Sequence, residues 1–146
     1  MTPEACAALH ARAFDTGRPW SREEFAALLG SPHVFSVGDD TAFALGRAIA
    51  GEAELLTLVT DPAFRRRGLA RDRLRRFEQE AQARGAAPPL LGVARDTAAA
   101  HALYGAAGYA EAARRAGYYP RGASAPADAL VLTKRLGRAS PGAENG

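Results

Sequence analysis

The chain is poor in the residues that build crosslinks and metal centres. It has one cysteine, Cys6, which excludes an internal disulfide and any cysteine-based metal cluster. Its histidines, His10, His33 and His101, are scattered without metal-ligand spacing, so no metal is expected. No apolar run approaches bilayer length, and Met1-Thr2-Pro3-Glu4 has neither the basic start nor the apolar stretch of a signal peptide. These absences predict a cytoplasmic protein without membrane contact. There is no internal repeat. At 146 residues the chain is long enough for one domain with a proper core and too short for two. The expected division is a single domain over 1–136 and a disordered tail over 137–146, rich in Gly, Pro, Ser and Ala and lacking any apolar pattern.

What is present is unevenly distributed. Up to Phe64, four arginines face nine carboxylates, about −5 in formal charge; from Arg65 onward, fourteen arginines and Lys134 face seven carboxylates, about +8. A basic half fits a polyanionic ligand and an acidic half fits a cationic amine or a basic protein, although two solvated faces give the same counts. Thr2-Pro3-Glu4 opens a first helix, and Ser21 to Glu24 has the capping-box spacing that opens a second. Val34–Val37 and Thr41–Leu45 read as a hairpin around Gly38-Asp39-Asp40, and Glu52–Thr60 reads as a third strand. Ala70, Leu74, Phe77 and Ala81 recur at helical spacing and stop at Gly85. Leu90–Val93 is a short buried strand. Asp96 or Thr97 then caps a helix to about Ala106, and further strands begin at Tyr109 and Ala129. The order ααβββαβαββ predicts an α/β fold with helices packed over a sheet.

The most specific signal lies between the third strand and the helix after it, in Asp61-Pro62-Ala63-Phe64-Arg65-Arg66-Arg67-Gly68-Leu69-Ala70. A strand, a tight glycine turn and a helix leave the free amides of the first helical turn pointing at whatever sits there, which suits a phosphate or pyrophosphate. No Lys-Ser/Thr follows the glycine, and the three glycines of a dinucleotide fingerprint are missing, so both of those phosphate loops are excluded. Arg65-x-x-Gly68-x-Ala70 resembles the Q/R-x-x-G-x-G/A pyrophosphate loop of the GNAT superfamily of acetyl-coenzyme A N-acetyltransferases. The stretch Ala98-Ala99-Ala100-His101-Ala102-Leu103-Tyr104-Gly105-Ala106-Ala107-Gly108-Tyr109 is similar to that family's N-x-x-A-x-x-L-Y-x-x-x-G-F helix. Within the superfamily the chain most resembles the bacterial ribosomal-protein-alanine N-acetyltransferases. Ala13-Phe14 with Pro19-Trp20-Ser21, Leu58-Val59-Thr60-Asp61-Pro62, and Arg114-Arg115-Ala116-Gly117-Tyr118-Tyr119-Pro120 carry that likeness. It runs from the first helix to Leu136 and implies a mostly antiparallel central sheet flanked by helices.

The resemblance also implies roles. Acetyl-coenzyme A, as co-substrate, is held by the backbone of Arg65, Arg66, Arg67, Gly68, Leu69 and Ala70, while Leu58, Val59 and Thr60 pair with its pantetheine arm like an added strand. The amide near Val59 is the candidate donor to the thioester carbonyl. Tyr104 matches the tyrosine that protonates the departing thiolate, for which a phenol with an ordinary pKa of about 10 is suited. Trp20, Tyr118 and Tyr119 are candidate acceptor-binding residues. His101, between alanines, is expected on the surface.

Two positions depart from the family pattern. Gly92 stands where the ribosomal-protein branch carries a glutamate base, and Thr97 replaces the motif asparagine near the pantetheine. Glu54 is the substitute base, at the strand position where the histone-acetylating branch carries its own. Neighbours Leu55, Leu56 and Leu58 are expected to desolvate it partly, and Glu52 to share the task through water. The expected function is acetylation of the N-terminal alanine of a ribosomal protein. A small amine, another protein terminus, or a module that binds acyl-coenzyme A without catalysis remain alternatives. Direct nucleic-acid binding is not expected, because Arg65 to Arg76 has few interleaved aromatics and its arginines spread around the helix. A monomer or weak dimer is expected.

Overall fold

The computed structural model describes residues 1–13, 19–95, 97–119 and 127–135, without the side chains of 95, 115–119 and 127–129. In chain order the elements are α1 (Pro3–Ala13), α2 (Arg22–Leu29), β1 (Val34–Gly38), β2 (Ala42–Ile49), β3 (Glu52–Thr60), α3 (Leu69–Ala83), β4 (Leu90–Arg95), α4 (Ala98–Ala106), β5 (Ala110–Tyr119) and β6 (Ala127–Lys134). This is the order expected from the sequence. A short 3-10 turn, Pro62–Phe64, separates β3 from α3. The expected tail over 137–146 lies outside the described residues.

Local chemistry explains the ends of these elements. Ser21 Oγ accepts the Glu24 amide at 3.1 Å while Glu24 accepts the Ser21 amide at 2.7 Å, a reciprocal capping box for α2. Thr97 caps α4 by accepting the Ala100 amide at 3.1 Å. The two-residue turn Ala50-Gly51, both at positive φ, closes the β2–β3 hairpin.

The strands form one six-stranded sheet in the order β1-β2-β3-β4-β6-β5, antiparallel except between β3 and β4. A core lies on each face. Under α1 and α2, Cys6, Leu9 and Phe25 pack on Phe43, Leu45 and Val59. Under α3 and α4, Leu74, Phe77 and Tyr104 pack on Phe35, Leu55 and Leu130. Full burial of Leu74 and Phe77 stabilises the docking of α3 by roughly 2–3 kcal/mol each.

One irregularity shapes the sheet. The β2–β3 ladder slips at Leu56, so that Gly46 faces Leu55 but Leu45 faces Thr57. Such a bulge bends its strand and increases the local twist. Gly46 is required at this point, because a Cβ there would come within 2.7 Å of both the Phe35 and Phe77 rings. The pairing of β3 with β4 stops at the same place. It comprises Glu54–Leu91 and Leu55–Gly92, and among the described residues it goes no further, although β3 continues to Thr60 and β4 to Arg95. The two strands therefore part, and the edge of β3 beyond Leu55 is left open.

Candidate active site

The loop after β3 is built by backbone geometry and tethered by side chains. Asp61 Oδ1 accepts the Ala63 amide at 2.9 Å, and its Oδ2 accepts from Arg12 Nε at 3.2 Å, which ties the loop to the end of α1. Arg65 donates to the Ala13 carbonyl at 3.4 Å. Arg66 and Gly68 take φ of 66° and 75°, a backbone form that turns nearby amides toward one concave side. Gly68 is the N-cap of α3 and supplies no side-chain cap; the Asp72 amide makes the first helical bond, to the Gly68 carbonyl at 3.1 Å. The amides of Leu69, Ala70 and Arg71 consequently face outward at the positive end of the helix dipole. A Cβ on Gly68 would meet nothing within 4 Å, and Arg65, Arg66, Arg67 and Arg71 are exposed around that open ground. Bare amides in open ground, with exposed arginines next to them in the chain, fit a diphosphate.

The start of α3 is also fastened to the sheet. Arg73 is buried, donates to the Ala42 carbonyl at 2.9 Å and pairs with Asp39 at 3.1 Å. Asp72 gathers Arg73, Arg75 and Arg76 at 2.7–2.9 Å, and Arg73 above all holds its carboxyl below the usual carboxylate range. The amides of the first turn are thus presented on a rigid mount.

The open edge of β3 leads from this loop into the fold. Side chains alternate along it. Ala53, Leu55 and Leu58 pack on the α3/α4 side, and Leu56 and Val59 pack on the α1/α2 side. Tyr104 lies on the α3/α4 side in the same core as Leu58, with its ring edge-on to Tyr109 at 5.5 Å. The Tyr109 ring is buried, and burial above all, with the nearby Glu78 carboxylate, pushes its pKa far above that of an ordinary phenol. Glu54 belongs to the α1/α2 side with Leu56. Its Oε1 accepts from Arg47 across the hairpin at 2.8 Å, and its side chain is 35% exposed. Gly92 is buried opposite Leu55, and a Cβ there would make an ordinary 3.8 Å contact with the Leu55 Cβ.

Comparison with known proteins decides the family: residues 6–109 match the acetyltransferase (GNAT) family. The chain belongs to that family. It is 36% identical over 123 residues to the [ribosomal protein bS18]-alanine N-acetyltransferase of Escherichia coli strain K12, spanning 82% of this chain and 83% of that protein. It is 34% identical to the N-alpha-acetyltransferase RimI of Mycobacterium tuberculosis, spanning 80% of this chain and 77% of that protein. The crystal structure of the E. coli ribosomal-protein-S18-alanine N-acetyltransferase superposes with a TM-score of 0.80 at 31% identity, covering 92% of this chain and 87% of that one. The protein is therefore a GNAT N-acetyltransferase, of a family that draws its acetyl group from acetyl-coenzyme A.

In this acetyltransferase the strand residues Leu58 to Thr60 lie past the point where β3 leaves β4, and the loop residues Arg65 to Ala70 follow that strand end. Thr97 stands at the start of α4 with its hydroxyl engaged in the helix cap. Tyr118 and Tyr119 end β5, but their side chains lie outside the described residues. His101 is exposed, as expected. Trp20 packs on His10 and Phe25, with ring centroids 5.2 and 5.6 Å away. For Glu54, expected among leucines, the Arg47 pair is an added feature; counting back from the turn Ala50-Gly51 puts the two residues opposite each other and was the signal for it.

His10, on α1, has no metal-ligand spacing to the other histidines and is fully buried against Trp20 and β3. Its Nδ1 accepts the Trp20 amide at 2.9 Å and its Nε2 lies 3.3 Å from Thr57 Oγ1. Burial pulls its pKa down to about 4, so the ring is neutral at physiological pH. No local sequence pattern marks this arrangement, since its parts are ten and 47 residues away along the chain.

Proposed function

We propose that this acetyltransferase moves the acetyl group of acetyl-coenzyme A onto the N-terminal amine of a protein, with an alanine-initiated ribosomal protein as the first candidate. The name of the E. coli relative states that acceptor for that enzyme. The observation that carries the reading is the uncapped start of α3 at Gly68 beside a parallel strand pair that parts after Leu55.

Acetyl-coenzyme A supplies the acyl group as an activated thioester, and the remaining tasks fall to this chain. The amides from Arg65 to Ala70 grip the diphosphate, with the guanidinium groups of Arg65, Arg66 and Arg67 around it. The backbone of Leu58, Val59 and Thr60 extends the sheet onto the pantetheine arm, and the Val59 amide polarises the acyl carbonyl. Thr97 contacts the same arm where α4 begins. Tyr104 gives its hydroxyl proton to the departing sulfur. Glu54, oriented by Arg47, takes a proton from the ammonium, directly or through a water shared with Glu52. Trp20, Tyr118 and Tyr119 flank the acceptor. We place the enzyme in the cytoplasm as a single domain over 1–136, a monomer or weak dimer without direct nucleic-acid contact.

Gly92 favours a second reading within the same fold. A chain lacking the carboxylate that the ribosomal-protein branch carries there would act on a different terminus or a small amine, or bind acyl-coenzyme A without turning it over. Free-thiol release from acetyl-coenzyme A, measured against ribosomal N-terminal peptides and simple polyamines, separates these outcomes. The proposal expects the highest rate with a peptide beginning in alanine. Cofactor binding without thiol release on any amine would leave only the binding module.

A further inference from the structure

His10 fixes the direction of a hydrogen bond that reaches the reaction site. The Trp20 backbone amide can only donate, so His10 Nδ1, 2.9 Å away, must carry a lone pair. The ring is neutral and its one proton therefore sits on Nε2, where it is donated to Thr57 Oγ1 at 3.3 Å. The hydroxyl accepts from the imidazole, which leaves its own hydrogen to be donated elsewhere. Thr57 is the first residue past the bulge, half-buried, and next to Leu58 and Val59 on the open edge of β3. Its side chain lies on the α1/α2 side, shared with Glu54 and opposite to Tyr104.

With the cofactor's arm along the strand edge and Tyr104 on the other side, the α1/α2 side is where the amine approaches. An N-terminal amine brings its own residue's carbonyl oxygen roughly 3 Å away, linked through the Cα and carbonyl carbon and adjustable by rotation about ψ. A simple amine brings none. We propose that Thr57 donates its hydroxyl hydrogen to the first carbonyl oxygen of a peptide acceptor, and that His10 is the positioning residue that holds the hydroxyl in this polarity. The pair would thereby select protein termini over small amines. The inference rests on the peptide acceptor proposed above and adds a residue to it.

The test uses Thr57→Val, which keeps the shape and loses the donor, and Thr57→Ser, which keeps the donor. Affinity for an alanine-initiated peptide is read from the fluorescence of Trp20, the only tryptophan in the chain, and kcat/KM from thiol release. Thr57→Val should weaken both by about fivefold, the usual loss for one neutral hydrogen bond, with the KM for acetyl-coenzyme A unchanged. Thr57→Ser should stay within about twofold of wild type. An alkene replacing the peptide's first amide should cost wild type the same factor and cost Thr57→Val nothing more. Nitrogen-15 spectra should show His10 protonated on Nε2. Equal activity of Thr57→Val and wild type on the peptide, or protonation of Nδ1, overturns the inference alone. A wild-type enzyme that ignores all peptides yet acetylates polyamines overturns the acceptor reading as well.

Discussion

The two sides of β3 meet the reaction by different means. On the α3/α4 side and along the open edge, the candidate site consists mostly of backbone: bare amides after Gly68 and the strand from Leu58 to Thr60. On the α1/α2 side it consists of side chains, Glu54 on Arg47 and Thr57 on His10. A site made of amides needs only a bulge, a left-handed glycine and a helix start, so many sequences can build it. A site made of side chains changes whenever one residue does. Gly92 shows that the α3/α4 side can also lose a side chain: it pairs with Leu55 there, at the position where the resemblance implies a carboxylate.

The largest effect should come from Tyr104, the one side chain to which the proposed mechanism gives a chemical role on the α3/α4 side. Tyr104→Phe is expected to lower kcat by about a thousandfold while the KM for acetyl-coenzyme A stays within about twofold, because a buried ring of the same shape keeps the core and loses only the proton. Steady-state kinetics checks this, and unchanged kcat would remove Tyr104 from the chemistry.

Next comes the knot on the acceptor side. His10 has its folded-state pKa lowered to about 4 from 6.5, so the unfolded chain binds the extra proton first as the solution is acidified. Its contribution to stability is complete above about pH 6.5 and is lost as pH falls toward 4, a total of roughly 3 kcal/mol. Urea denaturation at a series of pH values should show this slope, and a folded His10→Gln variant should lack its share of it.

Glu54→Gln keeps the acceptor atom for Arg47 but removes the proposed base. The rate should fall about tenfold near neutral pH. The loss should shrink as pH approaches the ordinary α-amino pKa of about 8, where the acceptor deprotonates in solution. A wild-type pH profile would send the search for the base to Glu52 or to solvent. The smallest effect is expected from Gly92→Glu. A Cβ has ordinary room against Leu55, and in a variant shown to be folded by circular dichroism turnover of an alanine-initiated peptide should rise by about threefold. No rise, with the variant folded, would mean that Glu54 already does the work or that the acceptor is different.

The parts of the site that were readable in advance follow the same division. The element order, the glycine turn and the Tyr104 helix could be read because each is local: a cap, a period, a spacing. The Leu56 bulge and the point where β3 leaves β4 were not, because both depend on strands meeting across the sheet. The burial of Arg73 against the Ala42 carbonyl and Asp39 is not legible in the sequence, since helix periodicity says which face is inward but not what polar partner waits there. The burial of His10 is illegible for a related reason: a buried histidine is recognised by its partners, and Trp20 and Thr57 are not its sequence neighbours.

The central claim is that the amides beyond Gly68 hold the diphosphate of the acyl carrier, and titration calorimetry of coenzyme A tests it most directly. Wild type should bind with a dissociation constant of roughly 1–100 µM. Gly68→Val, still folded by circular dichroism, should lose at least tenfold in affinity, because a branched side chain resists the positive φ and covers the amides. Absence of heat with wild type, or equal binding by Gly68→Val, would contradict the account.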